Sequence, residues 1–119
     1  MKSPMTPDIH ITESADEIPL EEVGANEAHQ LSAEIDENRN VYLNFSSRLA
    51  MYDFARSLLH EALYGRGGMA KFYPLEYQGK RETINGVRMS PNSERLFVFY
   101  QDDVPPDHPT QEQSPRRLE

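Results

Sequence analysis

Several groups of side chains in this 119-residue sequence are of types that do chemistry. His60-Glu61 begins a zinc-protease pattern, which needs a second imidazole four residues on so that both ligands share one helix face. Position 64 is Tyr64. The pattern is therefore incomplete, and both residues read as solvated helix positions. Asp53, Glu61 and Glu76 are carboxylates that would do acid–base work if a cleft held two of them together. Asp53 is equally placed for an i, i+3 pair with Arg56. Ser46 and Ser47 become nucleophiles only beside a base. His60 lies about three turns further along the same segment, beyond direct reach, so capping of a helix explains the two serines better. Gly65-Arg66-Gly67-Gly68 is glycine-rich but follows a helix, and phosphate is held at helix N-termini. The four histidines (His10, His29, His60 and His108) are scattered, and there is no cysteine. No catalytic residue, metal site or cofactor is assigned on these grounds, and the reading leans away from an enzyme.

Lys71, Lys80, Arg81, Arg88 and Arg95 interleave with Phe72, Tyr73, Tyr77 and Phe97. Cations for phosphate and rings for base stacking, presented on a sheet, are what single-stranded nucleic acid binding requires. The same mixture is also what a solvated sheet face beside a core looks like.

The elements that must position these groups are readable from periodicity. Val41-Tyr42-Leu43-Asn44-Phe45 alternates as a strand does. Residues 24–40 admit two readings: Ala25–Asp36 has fair helix propensity but a weak apolar stripe (Leu31 and Ile35), and the reading adopted pairs Ala33–Asp36 with that strand across the loop Glu37-Asn38-Arg39-Asn40. Ser46-Ser47 supplies an N-cap. Over Arg48–Tyr64, Met51, Phe54, Ala55, Leu58, Leu59 and Ala62 recur at helical spacing, so that face is expected to be buried and the face carrying Asp53, Arg56, Ser57 and His60 solvated. Gly65 is expected to end the helix in the left-handed conformation. From Met69 the period becomes two. Pro74 breaks the strand or places it at an edge, Gln78-Gly79-Lys80 is a turn, and Asn85-Gly86 is a hairpin signal. Glu94–Gln101 is the most apolar strand. The expected architecture is α+β: one amphipathic helix on a four- to five-stranded, mainly antiparallel sheet, a two-layer sandwich with acidic disordered arms.

Charge marks the boundaries. Residues 1–40 carry ten carboxylates against Lys2 and Arg39, a net of −8; residues 41–100 are net +3; residues 101–119 are net −3. The expected division is an acidic, largely disordered N-terminal arm over 1–30, a small domain over 31–101, and a Pro-rich acidic disordered tail over 102–119. An acidic total disfavours nonspecific binding to nucleic acid or to anionic membrane. No apolar run approaches the roughly 20 residues of a membrane helix, no apolar h-region follows Met1, so a secretory leader is not expected, and the absence of cysteine fits a cytoplasmic location.

The last strand gives the sharpest functional expectation. Leu96, Val98 and Tyr100 share one face, and Arg95, Phe97, Phe99 and Gln101 share the other. A single helix covers one face of a sheet, so Phe97 and Phe99, with Arg95 and Tyr73, are expected to form an interaction surface unless another part of the chain covers them. The reading is a noncatalytic interaction module whose partner is another protein or a second copy of the chain. The alternatives are single-stranded nucleic acid binding through Lys71, Lys80, Arg81, Arg88 and Arg95, and a small enzyme or ligand binder with a pocket between helix and meander.

Overall fold

The structure is a computed structural model in which residues 9–101 are described. The tail at 102–119 and residues 1–8 of the N-terminal arm lie outside the described residues. The fold is α+β, with one main helix and short antiparallel strands in small sheets. Its elements are α1 (Glu21–Ala25), β1 (Leu31–Ile35), β2 (Val41–Phe45), α2 (Arg48–Tyr64), β3 (Met69–Phe72), β4 (Leu75–Tyr77), β5 (Lys80–Ile84), β6 (Val87–Arg88) and β7 (Leu96–Phe99).

Local chemistry sets most of these bounds. β1 and β2 form the expected hairpin, with Leu31 opposite Phe45 and Ile35 opposite Val41. Asp36 organises its loop by accepting the backbone N–H groups of Asn38 and Asn40, both at 2.9 Å, and the Tyr42 hydroxyl at 2.8 Å. Ser47 caps α2 by accepting the Ala50 amide at 3.1 Å. Pro74 separates β3 from β4, as a residue without an N–H must. Gln78-Gly79 and Asn85-Gly86 both turn with two successive positive φ angles, the backbone that matches strand twist in a tight hairpin. Gly86 is doubly required, because a Cβ there would also strike the Ile18 side chain. The helix exit departs from expectation. Gly65 is extended (φ −69°, ψ 152°) and gives its N–H to Glu61 O at 2.8 Å, while the left-handed residue is Gly68 (φ +78°).

The strands form three small sheets, β1-β2, β3-β7 and β4-β5-β6, where the sequence suggests one platform of four or five. Residues 89–94 stitch two of them together. Met89 bridges Leu31 in parallel, Ser90 N–H reaches Leu31 O at 2.9 Å, and Glu94 N–H reaches Ala33 O at 2.8 Å. The core lies where these sheets meet α2: Leu31, Ala33, Phe54, Ala70, Phe72, Val87 and Met89. The Phe54 ring stands edge-on to Phe72 at 5.2 Å and tilted against Phe45 at 5.6 Å.

The buried side of α2 is not the expected one. Phe54 is buried and Leu58 half-buried, but Met51, Ala55, Leu59 and Ala62 are exposed; Ala50, Asp53, Arg56 and Ser57 are buried instead. The cover on that polar side is the segment running from Ile11 to Leu20. Its carbonyls at Glu13 and Glu17 meet His60 Nε2 at 2.8 Å and Arg56 Nη2 at 2.5 Å, and its Leu20 amide meets Asp53 Oδ2 at 2.9 Å. The Tyr64 hydroxyl reaches Ile11 O at 3.5 Å. An irregular strap leaves backbone donors and acceptors unpaired by any ladder. A helix face carrying Asp, Arg, His and Tyr can satisfy them, and a face of Met, Ala and Leu cannot.

Candidate interaction surface

The β3–β7 register decides which side chains share a face. Met69 stands opposite Phe99 and Lys71 opposite Phe97, on the outer face; Ala70, Phe72, Leu96 and Val98 alternate onto the inner face with the core. Phe97 is 46% exposed and Phe99 71%. The Arg95 guanidinium lies over the Tyr73 ring at 5.5 Å, and Lys71 Nζ approaches the same ring at 5.8 Å. The four residues expected to form an interaction surface (Arg95, Phe97, Phe99 and Tyr73) are thus brought to one small sheet, with Met69 and Lys71 beside them.

The edge of β7 is also open. Tyr100 N–H donates to Gly68 O at 3.1 Å, so the hydrogen-bonded pairs of this ladder fall on even-numbered β7 residues. The N–H and C=O groups of Phe97 and Phe99 therefore point away from β3, toward an edge that no strand occupies among the described residues. The opposite edge of the sheet is treated differently: Lys71 O accepts Asn85 Nδ2 at 3.0 Å. Beneath the open edge runs a groove of about 370 Å³ lined by Leu58, Glu61, Ala62, Val98, Tyr100 and Gln101. It joins the inner side of β7 to the exposed apolar side of α2.

The basic set expected for nucleic acid is divided. Lys71 and Arg95 belong to the β3–β7 face. Lys80 is exposed beside the β4–β5 turn, and Arg81 pairs with Glu76 at 3.8 Å on that other sheet. Arg88 is 4% exposed. Its guanidinium donates to the carbonyls of Val23 (2.7 Å), Gly24 (3.3 Å), Asn26 (3.0 Å), His29 (3.4 Å) and Arg81 (2.9 Å). It closes the C-terminal end of α1, where carbonyls are left unpaired, and offers nothing to a phosphate.

The groups weighed for catalysis are occupied with structure. Asp53 is 1% exposed and holds Arg56 at 2.8 Å. Burial pushes its carboxyl above the ordinary range, against the lowering effect of Arg56 and the Leu20 amide. Glu61 accepts the Tyr100 hydroxyl at 2.7 Å. A second, smaller cavity of about 140 Å³ touches Ser57, His60, Glu61 and Asn85 beneath Ala15 and Ile18, and His60 is already committed to Glu13 O. Glu76 lies on β4, paired with Arg81 of β5, apart from both. Among the described residues no cluster of three His, Cys, Asp or Glu side chains fits a metal ion, and no helix is long and apolar enough to cross a membrane.

One constellation was not visible in the sequence. His29 Nδ1 lies 2.6 Å from Ser47 Oγ, and His29 Nε2 lies 3.5 Å from Glu22. The sequence pairs Ser47 only with the distant His60; nothing in spacing signals that a chain reversal 18 residues upstream delivers His29. With the ring proton on Nε2, Ser47 donates to Nδ1 while its oxygen caps Ala50. Ser46 works alongside, donating to Ala28 O and accepting the Gln30 amide at 2.8 Å. Together these bonds fasten residues 28–30 to the start of α2.

No family model matches the chain, and no curated protein or solved structure matches it either.

Proposed function

We propose that this protein is a noncatalytic interaction module whose contact surface is the outer face and open edge of β7, and that it works in the cytoplasm. One observation carries the reading: Phe97 and Phe99 stand exposed at 46% and 71% on a face where neither α2 nor the strap reaches them. Burying such rings is worth roughly 1.5–3 kcal/mol each, and aromatic side chains dominate the contacts that hold protein pairs together. The unpaired backbone of the same strand adds directional hydrogen bonds, as in strand addition to a sheet edge.

A photoreactive benzoylphenyl side chain placed at position 99 tests this inside the cells that make the protein. The expected result is a protein adduct at position 99 and none at position 77. Tyr77 is 63% exposed but lies on the separate β4-β5-β6 sheet. Equal labelling at both positions, or none at either, overturns the reading.

A second reading has its own observation. Lys71 and Arg95 both approach the Tyr73 ring beside two exposed phenylalanines, which is the geometry of a stacking platform flanked by phosphate-binding cations. Single-stranded oligonucleotide titrated at low salt is then expected to bind, and to bind more weakly to Arg95→Ala and Lys71→Ala, with a salt slope reduced by about one unit for each. Absence of binding at low salt removes it.

A further inference from the structure

Among the described residues three features are left uncovered together: the edge of β7, the phenylalanines outside it, and the apolar side of α2 inside it. The geometry points to a single occupant for all three, a second copy of this chain joined by antiparallel pairing of β7 with β7. This rests on the interaction-module reading and names its partner.

The register follows from the ladder. Only Phe97 and Phe99 direct N–H and C=O groups to the open edge. Antiparallel self-pairing can satisfy both residues in both copies when Phe97 faces Phe99 of the second copy and Val98 meets Val98 on the two-fold axis. The product is a continuous sheet in the order β3-β7-β7-β3. On its outer face four phenylalanine rings pack as direct cross-strand neighbours, the kind of pair that stabilises a sheet. On its inner face both copies of α2 lie on the same side.

The helix is built for that approach. Leu58 and Ala62 line the groove beside Val98, so the exposed stripe of Met51, Ala55, Leu59 and Ala62 turns toward the open edge and away from the strap. Met51, Ala55, Leu59 and Ala62 are uncharged, with Arg48 one turn before Met51 at the end of the stripe, and Ala55 and Ala62 lie seven apart, two turns on one face, where small side chains permit close contact.

Area and charge agree with a symmetric pair. The exposed parts of the two phenylalanines come to about 200 Å² per copy, taking roughly 200 Å² for a whole aromatic side chain. The groove and the α2 stripe add further apolar surface to this, where a homodimer interface of standard size buries roughly 800 Å² per partner, about 65% apolar. Charges are placed to avoid conflict. Residues 95–101 contain no carboxylate, and in this register Arg95 stands opposite Gln101 of the second copy, with no like charge directly across the strands.

Sedimentation of the full chain at tens of micromolar is expected to give twice the 13.7 kDa of one chain. Phe99→Pro removes an N–H that β3 does not use, so it is expected to leave the fold intact by circular dichroism and to sediment as a monomer. The register is read separately. The chain has no cysteine, and a non-hydrogen-bonded antiparallel pair brings its side chains within disulfide reach. Val98→Cys is therefore expected to cross-link to a covalent dimer under mild oxidation, while Val41→Cys, exposed at the far hairpin, does not. A monomeric wild-type chain, or equal cross-linking at 41 and 98, overturns the dimer. If the chain is monomeric but position 99 labels a different protein, the dimer falls and the interaction module stands. If position 99 labels only nucleic acid, both fall.

Discussion

The two long sides of α2 were finished in opposite ways. One side carries Asp53, Arg56, His60 and Tyr64 and is closed by the strap through hydrogen bonds to its backbone. The other carries Met51, Ala55, Leu59 and Ala62 and is left open. Hydrophobicity alone would bury the second and expose the first. An irregular segment is recruited by partners for its amides and carbonyls, while an apolar stripe awaits a surface that has already satisfied its own backbone.

The largest expected effects fall on the enclosed polar groups. Arg88→Met strips five carbonyl contacts and leaves the enclosed carbonyls of Val23 and His29 without that donor, while Asn26 O keeps the His29 amide. At roughly 1–3 kcal/mol for each unsatisfied buried group, the expected loss is about 4 kcal/mol or more by urea unfolding, with the amides of residues 20–30 losing hydrogen-exchange protection before the core. Asp53→Ala leaves the Arg56 guanidinium buried without its carboxylate. Its Nε already finds no acceptor among the described residues. The expected cost is about 3 kcal/mol. Gly86→Ala, with positive φ and the Ile18 contact, is expected to cost about 2 kcal/mol. A change under 0.5 kcal/mol in Asp53→Ala or Gly86→Ala would show that the strap is not a structural part of the domain.

On the open side the expected thermodynamic effect is small. Leu59→Lys should alter monomer unfolding by less than about 0.5 kcal/mol while weakening self-association. A large loss of monomer stability would mean the stripe is covered by the chain itself.

Acidity sharpens the contrast further. Asp53 has its folded midpoint raised above 3.8 by burial. Its contribution to stability is fully present below the unfolded value and is lost as pH rises through the folded one. Asp36, held down first by the Asn40 amide and then by the Tyr42 hydroxyl, and Glu17, held down chiefly by its own amide with help from Thr12, behave in the opposite sense. Their contributions are present above 3.8 and 4.5 respectively and are lost as pH falls. Carboxyl-carbon titration by NMR should place Asp53 above its ordinary value and the other two below theirs. The stability deficit of Asp53→Asn relative to wild type should deepen as pH falls through the folded Asp53 midpoint.

Much of the local structure was legible. The β1–β2 hairpin, the bounds Arg48 to Tyr64, the Ser47 cap, the break at Pro74 and the Asn85-Gly86 turn all depend on neighbours within a few residues, where dihedral preferences and missing or supplied hydrogen bonds act directly. The grouping of Arg95, Phe97, Phe99 and Tyr73 was legible for a related reason, since strand alternation assigns a face without reference to the rest of the chain. The roles of Arg88 and His29 were not. Nothing in the spacing of Arg88 marks it as the donor for carbonyls some 60 residues earlier, and an arginine among aromatics reads as a surface cation until a fold encloses it.

Sequence alone therefore determined the elements, their turns and which side chains stand together on β7, because these follow from short-range backbone geometry. Tertiary structure alone decided which side of α2 is buried, how the strands divide into three sheets, and what the strap is fastened to. Those choices turn on where distant backbone polar groups find partners, and a helical period counts apolar residues without recording which segment will come to cover them.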